Sequence, residues 1–197
     1  MKQVVVGEFY RKTIHIFNIV IPLSHIYLFK DKMDMIIFLS IMLIICFFVE
    51  LIRIKNLFSY NVFEKYLFFM MRESEKKGEI TGATWVFVGA LFTIIFVPKP
   101  YCILALLYLA VGDTFAALIG INYPFINIGQ KTLSGSFACF IACCMIGFSF
   151  YSEVNTFLIL IGALIATFTE LASRIVNDNV SIPILSGLSM YLASIII

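Results

Sequence analysis

Residues 101–120 read YCILALLYLAVGDTFAALIG, an apolar run interrupted by a single acidic residue, Asp113. An α-helix needs roughly 17–25 apolar residues to cross a hydrocarbon layer about 30 Å thick. The stretch therefore reads as a membrane helix. A carboxylate inside such a helix costs roughly 2.5–3.5 kcal/mol on insertion, so Asp113 should have a role that offsets this cost.

The rest of the chain has the same character. Its 197 residues are 61% hydrophobic and 13% charged, with a mean hydropathy of +1.01. A soluble domain carries about a quarter charged residues. The composition predicts an all-α, polytopic membrane helix bundle and excludes a soluble globular enzyme. The net charge of +2 gives no reason to expect nucleic acid as a partner. No cleavable signal peptide is expected, because residues 1–12 are polar and the first apolar run lacks a small-residue cleavage site. The cysteines Cys46, Cys102, Cys139, Cys143 and Cys144 form no CxxC pair and read as small residues of the core or lipid face. His25, alone near a helix end, reads as structural.

Seven spans are expected, at about 14–29, 34–52, 80–98, 101–120, 134–151, 155–173 and 182–197. VPKP at 97–100 and YSEVN at 151–155 read as short turns, since proline removes a backbone donor and resists helix continuation. The polar segment 53–79 mixes aromatics with charge and is expected to lie at the cytoplasmic interface. No internal repeat or separate soluble domain is visible, so residues 1–197 read as one integral membrane catalytic domain. With the N-terminus in the cytoplasm, inner segments hold eleven of the Lys and Arg residues, and only Lys30, Lys32 and Lys99 lie outside. This positive-inside bias, with an odd number of spans, leaves the C-terminus outside.

That topology brings the unusual polar residues to the cytoplasmic side. EFYRKTIH places Glu8, Arg11, Lys12 and His15 on one face if helical. A juxtamembrane basic helix would explain Arg11 and Lys12 by headgroup contact, but not the Glu and His beside them. GQKTLSGS, from Gly129 to Ser136, offers flexible backbone, hydroxyl donors and Lys131 ahead of a helix start, a setting that attracts phosphate oxygens. It lacks the P-loop spacing. TELASRIVNDNVSIP supplies Glu170, Asp178 and Asn179, and Glu170 could pair with Arg174 one turn on. With Asp113, the three carboxylates suit Mg²⁺, a hard cation that keeps water and meets phosphate. Anions for a metal, a phosphate loop and cations from the first helix are what phosphoryl or nucleotidyl transfer requires, and the apolar surroundings imply a lipid acceptor.

These motifs, in this order from Glu8 to Pro183, resemble the polyprenol kinase family, which includes dolichol kinase, phytol and farnesol kinases and the CTP-dependent diacylglycerol kinase. The resemblance implies a lipid-alcohol kinase that transfers the γ-phosphoryl group of CTP, with Mg²⁺, to a polyprenol, phytol-like alcohol or diacylglycerol. By position it implies Asp113, Lys131, Glu170 and Asp178 as catalytic residues, with Asp113, Glu170 and Asp178 holding the metal. Nucleotide binding would fall to Arg11, Lys12, His15, Gly129, Lys131, Thr132, Ser134, Gly135, Ser136 and Asn179. Two alternatives stand beside this reading. One is a CDP-lipid-forming phosphatidate cytidylyltransferase, a distant relative whose His-Gly-Gly and paired-Asp signature is absent here. The other is a small ion-coupled transporter, for which the paired broken helices and midplane charges are missing.

Overall fold

The computed structural model describes residues 2–55, 71–149, 154–172 and 177–197. Among the described residues ten α-helices follow one another: α1 (Lys2–Ile16), α2 (Val20–Tyr27), α3 (Lys32–Ile54), the single turn α4 (Glu73–Lys76), α5 (Gly82–Phe96), α6 (Lys99–Leu107), α7 (Asp113–Asn122), α8 (Leu133–Phe148), α9 (Thr156–Ala172) and α10 (Asp178–Ile196). Among the described residues the only strands form a minimal antiparallel hairpin, β1 (Asn127–Ile128) with β2 (Lys131–Thr132). The protein is all-helical in class.

Among the described residues three helical segments are long and apolar enough to cross a membrane: α3, the continuous rod Lys99–Asn122 made by α6 and α7, and α10. The apolar helices α5, α8 and α9 fall short of that length, at 15, 16 and 17 residues. The sequence expects seven spans, and three helical segments meet the length and composition required.

The first expected span, 14–29, is not one helix. α1 ends at Ile16, a 3₁₀ turn covers Phe17–Ile19, and α2 begins at Val20. Pro22 gives the reason: it has no N–H to donate and its ring crowds the carbonyl four residues back, that of Asn18. The expected interfacial segment 53–79 lies largely outside the described residues, as do part of the YSEVN turn and Arg174, the expected partner of Glu170.

The Lys99–Asn122 rod runs through the middle of the bundle. Its most apolar stretch is 72% buried, against 17% for α3. Between α6 and α7 a π-helical turn, Tyr108–Gly112, immediately precedes Asp113. The rod has two packed faces. On one, Leu104, Tyr108 and Leu109 meet Cys139, Ile159 and Met190 from α8, α9 and α10. On the other, Ile103, Leu106 and Leu107 meet Ile21, Leu39 and Ala90 from α2, α3 and α5. The cysteines are free, with Cys102, Cys139 and Cys143 buried. α5 and α10 approach so closely that a Cβ at Gly89 would collide with the backbone carbonyl of Asn179, which fixes the start of α10 against α5.

Polar side chains finish the helix ends. Asp31 accepts from Met33 N (2.7 Å), Thr132 from Gly135 N (3.1 Å) and Asn177 from Asn179 N (3.1 Å), each capping the helix that follows. At one end of the bundle, Lys32 Nζ donates to Ile95 O (2.8 Å) and Lys99 Nζ to Lys30 O (2.7 Å), satisfying carbonyls at chain turns. His25 Nδ1 contacts Phe29 O at 2.8 Å and serves the same end.

Candidate functional site

At the opposite end from Lys32 and Lys99, five elements converge on a cavity of about 360 Å³. α1 supplies Arg11, Lys12 and His15, the rod supplies Asp113, and α10 supplies Asp178 and Asn179. α3 and the segment leading into α5 close the remaining side, through Glu50, Arg53, Glu75, Thr81 and Thr84.

The centre is an ion pair between Lys12 Nζ and Asp113 Oδ2, both deeply buried. His15 Nε2 stands 3.3 Å from the same carboxylate oxygen. Asn18 Nδ2 donates to His15 Nδ1 at 3.1 Å. In the tautomer that accepts this bond at Nδ1, the ring proton sits on Nε2. Asp113 Oδ1 and His15 Nε2 are buried without a hydrogen-bond partner, and they are the only two such side-chain atoms among the described residues. Buried polar atoms are nearly always satisfied, which makes this pair the candidate binding point of the cavity. The preceding π turn is a feature often found at functional sites.

A second polar cluster borders the cavity and contrasts with the first. Glu50 Oε1 accepts from Thr81 N (2.8 Å), Thr81 Oγ1 (2.5 Å) and Thr84 Oγ1 (3.1 Å), and Oε2 accepts from Arg53 Nε (2.8 Å). Arg53 also donates to Glu75 O and Glu79 O, each at 2.6 Å. Glu75 accepts from Arg72 N and Gly82 N, both at 2.8 Å. Every charge is answered, so the network fastens the 72–82 segment to the end of α3. Sequence reasoning places Glu50, Arg53, Thr81 and Thr84 among the polar residues of the cytoplasmic side but gives them no catalytic or binding role. The Glu50–Arg53 spacing of three on an apolar helix was the available signal.

Lys131 and Glu170 form a further ion pair between the hairpin and α9. Burial works against the Lys131 charge but is outweighed by the carboxylates of Glu170, Asp113 and Asp178, which raise its pKa above the ordinary lysine value. The loop and the cavity thus share one electrostatic environment, although Lys131 and Glu170 do not line the cavity. In the hairpin, Gly129 takes φ +67° at the first turn position, where glycine has no steric penalty. The hydroxyls expected to meet phosphate are engaged locally. Thr132 caps α8, Ser134 accepts from Phe125 N (3.2 Å), and Ser136 donates to Thr132 O (3.3 Å).

The expected nucleotide-binding residues therefore fall into two groups. Arg11, Lys12, His15 and Asn179 line the cavity; Gly129, Lys131, Thr132, Ser134, Gly135 and Ser136 belong to the hairpin and the start of α8. Arg11 also pairs with Glu8 at 2.5 Å, as the shared helix face predicts. The expected metal carboxylates divide as well. Among the described residues no three His, Cys, Asp or Glu side chains stand together as a metal-holding group. Mg²⁺ needs fewer, since it retains waters and uses one or two carboxylates with substrate phosphates. The hard oxygen donors of Asp178 and Asp113 on one cavity wall fit that requirement, while Glu170 is engaged with Lys131.

Fold and site together define an all-helical protein with helices of membrane-crossing length and a buried acid–base cluster at one end of the bundle. Uncharacterized protein RP860 of Rickettsia prowazekii is 30% identical over 182 residues, covering 88% of each chain. Uncharacterized protein MJ1137 of Methanocaldococcus jannaschii is 30% identical over 181 residues, covering 89% of this chain and 88% of its own. The chain belongs to the family these two proteins represent. No family model matches it, and no solved structure matches it.

Proposed function

We propose that the protein is a CTP-dependent lipid-alcohol kinase of the polyprenol kinase type, acting at the cytoplasmic face of a membrane. The observation that carries this reading is convergence. Residues from opposite ends of the chain, Lys12 and His15, Asp113, Lys131, and Asp178, share one buried electrostatic cluster at one end of an apolar bundle. Those are the residues on which the family resemblance rests, and the donor assignment to CTP rests on that resemblance.

In the reaction, the acceptor's hydroxyl oxygen bonds to the γ-phosphorus while the bond from that phosphorus to the β–γ bridging oxygen breaks. CDP leaves, and the hydroxyl proton passes to Asp113 Oδ1. Lys131 neutralises phosphate charge, and Glu170 holds Lys131 in place. Bound Mg²⁺, held by Asp178 with help from Asp113, would spread the charge that builds on the phosphate oxygens. Incubating purified protein with labelled CTP, Mg²⁺ and mixed lipid alcohols should give an alkyl phosphate and CDP. Pyrophosphate and a CDP-lipid would instead identify a cytidylyltransferase. Lys131→Ala should raise the apparent KM for CTP or lower kcat while leaving the KM for the alcohol unchanged. An effect on the alcohol KM alone would remove Lys131 from the donor site.

The same reading has seven crossings, with the N-terminus in the cytoplasm and the C-terminus outside. Supporting it, each of the seven apolar runs falls on helical structure, and the charge bias puts Lys30, Lys32 and Lys99 on the other side. In a cysteine-free background, Lys99→Cys and Lys131→Cys should label from opposite sides of sealed vesicles. Labelling from the same side would overturn the topology.

A further inference from the structure

We infer that the cavity is the acceptor's site, that the lipid alcohol slides into it sideways from the bilayer between α1 and α3, and that its hydroxyl is held between His15 and Asp113. The inference rests on the kinase reading and assigns its lipid site.

The unmet atoms describe the ligand's reactive group. His15 Nε2 is buried 3.3 Å from Asp113 Oδ2 without a hydrogen bond formed, and Asp113 Oδ1 is a buried acceptor without a donor. A hydroxyl answers both at once, since its oxygen accepts from Nε2 while its hydrogen is donated to Oδ1. A carbonyl, an ether or a phosphate oxygen could accept from His15, but none has a proton for Asp113.

The walls describe the rest of the ligand. Besides the Glu50–Arg53–Glu75 network, the lining away from the His15–Asp113 floor is apolar, through Ile14, Ile45, Cys46, Val49 and Val86. An alkyl or isoprenoid chain gains by burial there. The helices that frame this side are held by different neighbours. α1 packs on α7 and α3 packs on α5, and α1 and α3 have no substantial contact with each other among the described residues. Both lips are apolar and open, with Ile14 52% and Ile45 49% exposed. A slot with greasy lips on two lipid-facing helices admits a chain from the side while its polar end reaches the floor.

Cys46, half-buried on the wall, reports occupancy without any reaction. In Cys144→Ala protein, which lacks the other half-buried cysteine, the rate of N-ethylmaleimide modification at Cys46 is followed by mass spectrometry. Farnesol or 1,2-dioctanoylglycerol should slow it, and the difference between the two shows which backbone fits. CTP alone should not slow it. Farnesane, the hydrocarbon without the hydroxyl, should protect at least about tenfold less well, and His15→Ala should raise the half-protecting alcohol concentration about tenfold, the value of one lost hydrogen bond to the ligand. Protection by CTP but not by the alcohols would hand the cavity to the nucleotide and overturn the inference. Equal protection by farnesol and farnesane in the unaltered site would reduce it to a hydrophobic crevice and overturn it equally. The two readings fail separately: alcohol protection without phosphoryl transfer removes the kinase and keeps the alcohol site, while transfer without alcohol protection does the reverse.

Discussion

Asp113→Asn should lower kcat for lipid-alcohol phosphorylation by at least about 100-fold, measured on the protein that folds. The amide keeps the size of the side chain but loses the charge that receives the hydroxyl proton. Positioned general bases and preorganised charges contribute 10²–10⁴-fold in comparable sites. A 100-fold loss corresponds to about 2.7 kcal/mol in the transition state. Substrate affinity should change less than turnover, because an amide oxygen can still accept a hydrogen bond from the alcohol. The measurement is steady-state kinetics on protein whose elution profile and melting temperature show a folded bundle. Near-normal turnover in that protein would leave Asp113 as the structural partner of Lys12 and nothing more.

The second large effect concerns stability. Lys12→Ala should destabilise the bundle by about 3–5 kcal/mol, because it strands the Asp113 carboxylate in a buried site without its counter-ion. The double substitution Lys12→Met with Asp113→Leu should recover most of that loss, since replacing both members of a buried pair by apolar groups is often neutral or stabilising. It should also abolish activity. Denaturant titration in mixed micelles, run on both proteins, reads the difference. If Lys12→Ala is as stable as the parent protein, the ion pair is not what compensates the buried acid, and His15 would have to do so.

Much of the fold was legible because the bilayer imposes a simple rule on composition. The run expected at 34–52 is a helix over Lys32–Ile54, that at 80–98 is Gly82–Phe96, and that at 101–120 is Lys99–Asn122. Length and apolarity suffice there, since a helix in an apolar setting must satisfy its own backbone. The break at Phe17–Ile19 was missed because only one polar residue, Asn18, interrupts the apolar run across it. Only Pro22 marks it, and a proline in the first turn of a helix is equally compatible with an unbroken neighbour.

The site was legible as a set of residues but not as a set of partners. Asp113 stood out through its cost in an apolar helix. That it pairs with Lys12, far away in sequence, depends on α1 packing against α7. No local spacing encodes that. Lys131 illustrates the same limit: a lysine in a glycine- and hydroxyl-rich loop reads as a phosphate ligand, and here it meets Glu170 from α9. The hydroxyl of Thr132 caps α8 and that of Ser136 bonds back to the Thr132 carbonyl four residues earlier, local demands that short polar side chains meet before any ligand arrives.

The π turn at Tyr108–Gly112 bears on how such a site can change over evolutionary time. A π turn takes up one residue more than an α turn, and each residue rotates a helix by about 100°. An extra residue at that point re-aims everything after it and leaves everything before it in register. Leu104 and Ala105 lie on the unshifted side, committed to the packed interior, while Asp113 opens the re-aimed side. Selection for a stable scaffold and selection for a new acceptor can therefore act on separate halves of one helix, and a lineage can retune its chemistry without rebuilding its core.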